Sequence, residues 1–300
     1  MSLLLRNPGY SLALGSAMAY TCYDVAVRAL LKNLTVWGML TLRGALGLTL
    51  VLILTKYLKR SPWGTKRGLL AVAGLFIFSS SVCNTISIST IPLYQALVLL
   101  YLYPVFTLLL SAPINGEAVT ARDLGLALLA LIGCLILIWP DETVGLKLSR
   151  GHLIGISGAL LYSFGQTFIR RLGDGNTGLE PNFYYSLYAV TLAWPLSMLF
   201  GGRLGLDNAA GLMTGLLLAF MGIVAQVSGY AALRWMPGFK VGLIAYLEVF
   251  LGAMISFVIF KDPLSLRATA GGIIIVLVAF QLRRSASAKP RKDLAPPKRQ

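Results

Sequence analysis

Tyr101-Leu102-Tyr103-Pro104-Val105-Phe106 leads on to Glu117-Ala118-Val119-Thr120, and Tyr246-Leu247-Glu248-Val249-Phe250 leads on to Asp262-Pro263-Leu264-Ser265. An offset of 145 positions relates Tyr101 to Tyr246, Tyr103 to Glu248, Glu117 to Asp262, Pro92 to Pro237 and Tyr94 to Phe239. An offset of 142 relates Tyr20 to Tyr162 and Arg28 to Arg170. Coincidence at one position would be unremarkable, but coincidence at all of them marks an internal repeat. Both copies end on an acidic residue followed three positions later by a hydroxyl. This is a helix boundary: Thr120 and Ser265 can cap the next helix while Glu117 and Asp262 stay at the interface.

Around these copies the chain is apolar almost throughout. It has 300 residues, 57% hydrophobic and 12% charged, with a mean hydropathy of +0.76, whereas a soluble domain carries about 25% charged residues. Apolar runs near 9–31, 36–56, 68–90, 93–112, 121–139, 151–171, 181–201, 209–233, 239–260 and 265–283 each have the length that crosses hydrocarbon. Continuous apolar runs favour helices over barrel strands, which alternate polar with apolar. The expected fold is therefore an all-α integral membrane protein with ten transmembrane helices as two five-helix repeats, 9–145 and 146–284. An odd number of spans per half turns the second half over, so the repeats are inverted. Inverted halves can expose one central site alternately to either side by rocking.

The net charge of +15 reads as membrane orientation rather than nucleic-acid binding. Placing the N-terminus inside puts Lys56, Lys59, Arg60, Lys66, Arg67, Arg122, Arg170, Arg171, Arg234, Lys240 and the basic tail on the cytoplasmic side. Arg28, Lys32, Lys147, Arg150, Arg203, Lys261 and Arg267 fall outside. Both termini are then cytoplasmic, the first span is expected to be retained, and 285–300 is expected to be a disordered basic tail near anionic headgroups. Cys22, Cys83 and Cys134 lie in apolar spans without metal or disulfide spacing.

Ionisable residues inside spans are costly and point to function. Asp24 and Arg43 each lie seven residues from the outer ends of the first two spans, about 10 Å deep at helical rise. They can pair with one another, or Asp24 can receive an ammonium group or a proton and Arg43 a carboxylate. Glu248 lies about 13 Å into the ninth span, near the midplane. A carboxyl there suits proton coupling or recognition of a cationic group, with a hydrogen bond between helices as its structural alternative. Its repeat counterpart is Tyr103, so the centre is chemically asymmetric.

Aromatic and amide groups surround this centre, among them Tyr23, Tyr94, Gln95, Tyr184, Tyr185, Tyr188, Gln226 and Tyr230. Tyr20 with Tyr162 and Tyr101 with Tyr246 stand out because they recur at equivalent repeat positions and would face each other about a pseudo-two-fold axis. With Gln166 and Asn84 they complete a candidate substrate site, suited through ring faces to an apolar or aromatic body or an organic cation. Gly151-x-x-x-Gly155-x-x-x-Ala159 suggests close helix contact. Pro104, Pro92 and Pro237 are candidate bending points. The sequence has neither a phosphate-binding loop nor a His or Cys cluster, so ATP-driven transport and zinc chemistry have no support, and no cofactor is expected.

The duplicated five-span plan and the Leu102-Tyr103-Pro104-Val105-Phe106 to Glu117 segment resemble the drug/metabolite transporter superfamily in its ten-helix EamA branch. The second copy departs by Val249 in place of the usual Pro, and the first span lacks the common Trp-Gly step. The resemblance implies a secondary transporter of the inner membrane and no enzyme activity. The expected partners are a small-molecule substrate and the bilayer, with protons as a candidate coupling ion through Glu248. The most specific expectation is export of an amino acid or related metabolite. Import of a vitamin or nucleoside-like metabolite is the alternative, and a non-transporting scaffold or sensor the reading from another class.

Overall fold

The structure, a computed structural model, describes residues 8–30, 36–91, 93–138, 149–173, 177–199, 209–255, 258 and 266–286. Every regular element among them is helical. In chain order these are α1 (Pro8–Leu30), α2 (Val36–Tyr57), α3 (Arg67–Thr90), α4 (Leu93–Leu100), α5 (Tyr103–Asn115), α6 (Ala121–Ile138), α7 (Arg150–Leu172), α8 (Leu179–Tyr188), α9 (Trp194–Leu199), α10 (Ala209–Ala232), α11 (Gly238–Ile255) and α12 (Leu266–Ala286). Asp262, Ser265 and the tail 285–300, apart from its first two residues in α12, lie outside the described residues.

Two expected spans are interrupted. The fourth divides at Tyr101-Leu102 into α4 and α5, because Pro104 in the first turn of α5 has no N–H for the Leu100 carbonyl and its ring crowds that oxygen. The seventh passes from α8 through a π-turn, Ala189–Ala193, into α9. Pro195 withholds a donor from the Thr191 carbonyl there, and the Thr191 hydroxyl donates back to Leu187 O at 2.8 Å.

The expected cap forms. Thr120 N–H and Oγ1 donate to Asp123 Oδ2 at 3.1 and 2.7 Å, and Asp123 N–H donates to Thr120 Oγ1 at 3.2 Å. The reciprocal pair satisfies backbone donors at the start of α6. Gly116, at φ 63°, closes α5 with its N–H on Ala112 O.

The helices pair in a regular way: α3 runs along α7 and α1 along α10, α1 packs on α11 and α5 on α7, α6 lies on α12 and α2 on α8. The α3 and α7 backbones meet over small residues. A Cβ at Gly155 would stand 2.7 Å from Ser87 Oγ, and one at Gly165 2.5 Å from Ile77 Cδ1, so glycine there sets the interhelical distance. Large apolar side chains also cover the outside of the bundle, including Leu52 and Ile53 on α2, Leu128 and Ile132 on α6, and Ile273 and Leu277 on α12. Helices apolar on both faces suit lipid and not water. Among the described residues, Trp37–Tyr57, Arg67–Thr90, Ala96–Asn115 and Gly215–Ala232 are long and apolar enough to cross a membrane.

Candidate functional site

Seven helices bring polar side chains to the middle of the bundle. Arg43, on α2, donates from Nη1 to the Tyr23 hydroxyl at 3.3 Å, and its guanidinium carbon lies 4.8 Å from the Tyr23 ring centre and 5.2 Å from that of Tyr185. Tyr20, Tyr162 and Tyr230 are within its electrostatic reach as well. A cation held over ring faces is stabilised without a full counter-ion. The side chain of Asp24, the expected partner, lies outside the described residues.

Gly222 of α10 leaves room for this cage: a Cβ there would stand 3.2 Å from the Tyr23 ring and 3.6 Å from Arg43 Nε. Tyr185 reaches Arg43 from α8, one turn before the π-turn.

Glu248 of α11 is half-buried and lies within electrostatic reach of Tyr20, Tyr103, Tyr162 and Cys134. Tyr162 lies beside Gln166 and Tyr20, and its ring meets that of Tyr103 edge to face at 4.8 Å. Tyr20 packs against Tyr23 at 6.2 Å, and Gln226 Nε2 donates to the Tyr230 hydroxyl at 3.4 Å. Tyr20 and Tyr162 each lie within electrostatic reach of both Arg43 and Glu248.

Two of the pairs related by 145 positions come together among the described residues. Tyr101 and Tyr246 lie with ring centres 5.4 Å apart, the Tyr246 hydroxyl donates to Tyr101 O, and Glu248 approaches Tyr103. Of the expected site residues, the structure gathers Glu248, Tyr20, Tyr162, Gln166 and Arg43 into one cluster and places Tyr101 with Tyr246 beside it. Asn84 is half-buried on α3 with its backbone against Gly158 of α7, and the contacts that knit the cluster do not involve it among the described residues. Tyr23, Tyr185 and Tyr230 were not singled out by the repeat. They sit off its symmetric positions, and only their approach to Arg43 distinguishes them from packing tyrosines.

Glu117 lies at the expected boundary between α5 and α6 and is buried there at 7% exposure, with Oε1 accepting from Arg170 Nε at 2.8 Å. Arg170 Nη1 donates onward to Leu233 O and Arg234 O at 2.6 and 3.0 Å. The carboxylate can be buried because a guanidinium meets it while also serving carbonyls left over beyond α10. Lys240 Nζ lies 3.8 Å from Asp123 at the same end, and Asn115 Nδ2 donates to Thr167 O at 3.2 Å. Ion pairs and hydrogen bonds thus link the helices at that end of the bundle.

An all-helical bundle, apolar outside and polar at its centre, is a multi-pass membrane protein. One family model, the EamA-like transporter family, matches residues 7–139 and again 149–283, and the chain belongs to that family. The pseudopaline exporter CntI of Pseudomonas aeruginosa, from strains PAO1 and UCBPP-PA14, is 23% identical over 287 residues, 95% of this chain and 99% of the relative. A solved crystal structure superposes with a TM-score of 0.78 at 16% identity, covering 92% of this chain and 98% of that one. Family and relatives identify a transporter of small molecules rather than an enzyme.

Proposed function

We propose that the chain is a secondary transporter that exports amino acids or related metabolites across the inner membrane, by alternating access of two inverted five-helix halves, 9–145 and 146–284. The observation that carries the reading is the nearness of both Arg43 and Glu248 to the same two tyrosines, Tyr20 and Tyr162, inside the bundle, beside an end tied together by Glu117 and Arg170. A central charged site under one closed end is what alternating access requires. Two matched segments of the family model support the repeat. The packing supports it as well, since exchanging the halves turns the α3–α7 contact into α10–α1, and α5–α7 into α11–α1. Export is supported by the printed function of the relatives. Both termini are cytoplasmic in this reading, and Glu248 carries the coupled proton.

The test is flux in proteoliposomes under an imposed proton gradient. Glu248→Gln keeps the folded protein, judged by size exclusion and melting, and loses gradient-driven flux. Unchanged proton-coupled flux in that variant removes Glu248 from the mechanism.

A further inference from the structure

The connection between α2 and α3 is a built turn. Arg60 N–H donates to Thr55 O at 2.8 Å and Lys59 N–H to Lys56 O at 3.1 Å, the paired closure that ends a helix on a left-handed residue. That residue is Lys59, at φ 51°, in a conformation that favours glycine because a side chain is strained there. Further on, Trp63 is pinned to α8. Its ring centre lies 4.9 Å from that of Phe183 and 6.0 Å from that of Tyr184, and the Tyr184 hydroxyl donates to Trp63 O at 3.2 Å.

This turn carries uncompensated charge. Lys56, Lys59, Arg60, Lys66 and Arg67 are all exposed, and the segment 56–67 holds no acid. The acids described at the same end of the bundle are buried and engaged: Glu117 by Arg170, Asp123 in the cap of α6, and Glu180 by Thr177, whose N–H and Oγ1 donate to it at 2.7 and 2.9 Å. Among the described residues, the surface here presents cations and no exposed acid. Its position decides what meets it. The apolar spans Trp37–Tyr57 and Arg67–Thr90 end and begin at the two edges of the turn, which sets its cations at the level of phospholipid headgroups. The face of α2 that leads there is open, with Leu52 44% and Ile53 57% exposed. Lys56 follows them by one helical turn and so stands on the same face. Tyr57 and Leu58, 81% and 50% exposed, carry apolar surface on into the turn.

We infer that the α2–α3 turn is a binding site for an anionic phospholipid, whose acyl chains lie along Leu52 and Ile53 and whose phosphate is received by Lys56, Lys59 and Arg60. Lys66 and Arg67 add to the attraction from the start of α3. A nucleic acid or an acidic protein answers the charge but not the apolar face beside it, whereas a phospholipid answers both. Trp63, held by α8, fixes the turn at the interface, where indole rings settle. The strained lysine is then explained by what it binds: its charge is kept at a position where glycine would make the better turn. The inference needs a membrane-spanning chain and is independent of the transport reading.

The experiment uses the full chain in an uncharged detergent, titrated with phosphatidylglycerol or phosphatidylcholine, with lipid retention read by native mass spectrometry. The wild type is expected to retain phosphatidylglycerol at least about tenfold better at low salt, a preference that shrinks as salt rises. Lys56→Gln and Arg60→Gln each weaken that retention about fivefold, the share of one cation near an anionic surface. Lys59→Gly separates binding from folding. It relieves the left-handed strain, so it melts at or above the wild type without lipid, and still weakens phosphatidylglycerol retention about fivefold. Arg150→Gln, the same charge change on an exposed arginine at the other end of α7, leaves retention as it was.

Equal retention of the two lipids by the wild type overturns the inference, as does a Lys59→Gly variant that holds phosphatidylglycerol as the wild type does. An effect of Arg150→Gln as large as that of Lys56→Gln assigns the preference to net charge and overturns the site. Displacement of the phospholipid by polyglutamate or an oligonucleotide at equal charge overturns the choice of a lipid.

Discussion

Glu117 and Arg170, 53 positions apart, form a buried ion pair at 2.8 Å, and the same guanidinium holds the carbonyls of Leu233 and Arg234. One side chain thus ties the α5–α6 connection, the end of α7 and the α10–α11 turn together. Removing one partner leaves the other charge buried and unmatched, a loss of about 3–5 kcal/mol. Glu117→Ala is expected to melt well below the wild type in detergent. The double variant Glu117→Ala with Arg170→Met should recover part of that loss, and a double variant no better than the single one argues against the pair.

The Tyr246 hydroxyl serves the Tyr101 carbonyl, one of the backbone groups freed where α4 ends before Pro104. Tyr246→Phe strands that carbonyl in the interior of the bundle. The expected cost is about 1–3 kcal/mol, read as a lowered melting temperature with the fold retained by circular dichroism. A melting curve that overlays the wild type would show that the carbonyl finds another donor.

Gly44 lies against the π-turn. A Cβ there would stand 2.5 Å from Ala189 Cβ and 3.3 Å from the backbone of Ala189 and Val190, where no flexible side chain can give way. Gly44→Ala therefore overpacks the contact beside Arg43 and should destabilise by about 1–3 kcal/mol. At Gly15 nothing lies within 4 Å, and Gly15→Ala is expected to be neutral or stabilising by up to about 1 kcal/mol. Equal melting temperatures for the two variants would contradict this packing.

The helix bounds were legible because crossing hydrocarbon fixes length and apolarity together, and α1, α2, α3, α6, α7, α10 and α12 begin and end within a few residues of their expected spans. The breaks were less legible. Pro104 was a candidate kink but becomes a helix start, and the π-turn before Pro195 depends on how a surplus residue is absorbed, which no apolar run encodes. In the site, Glu248, Tyr20 and Tyr162 could be named from depth and repetition. Tyr23 and Tyr185 could not, since a tyrosine over a guanidinium looks in sequence like any tyrosine in a membrane helix.

The sequence alone aligned Tyr101 with Tyr246 and Tyr103 with Glu248, because the two similar segments stand 145 positions apart. The partner of each charge was decided only by tertiary structure. Arg43 meets tyrosines of α1 and α8, and Glu117 meets Arg170 of α7. Periodicity along a helix sets how deep a residue lies, whereas the contacts that compensate a charge come from helices far away in sequence, brought within a few ångströms by packing alone.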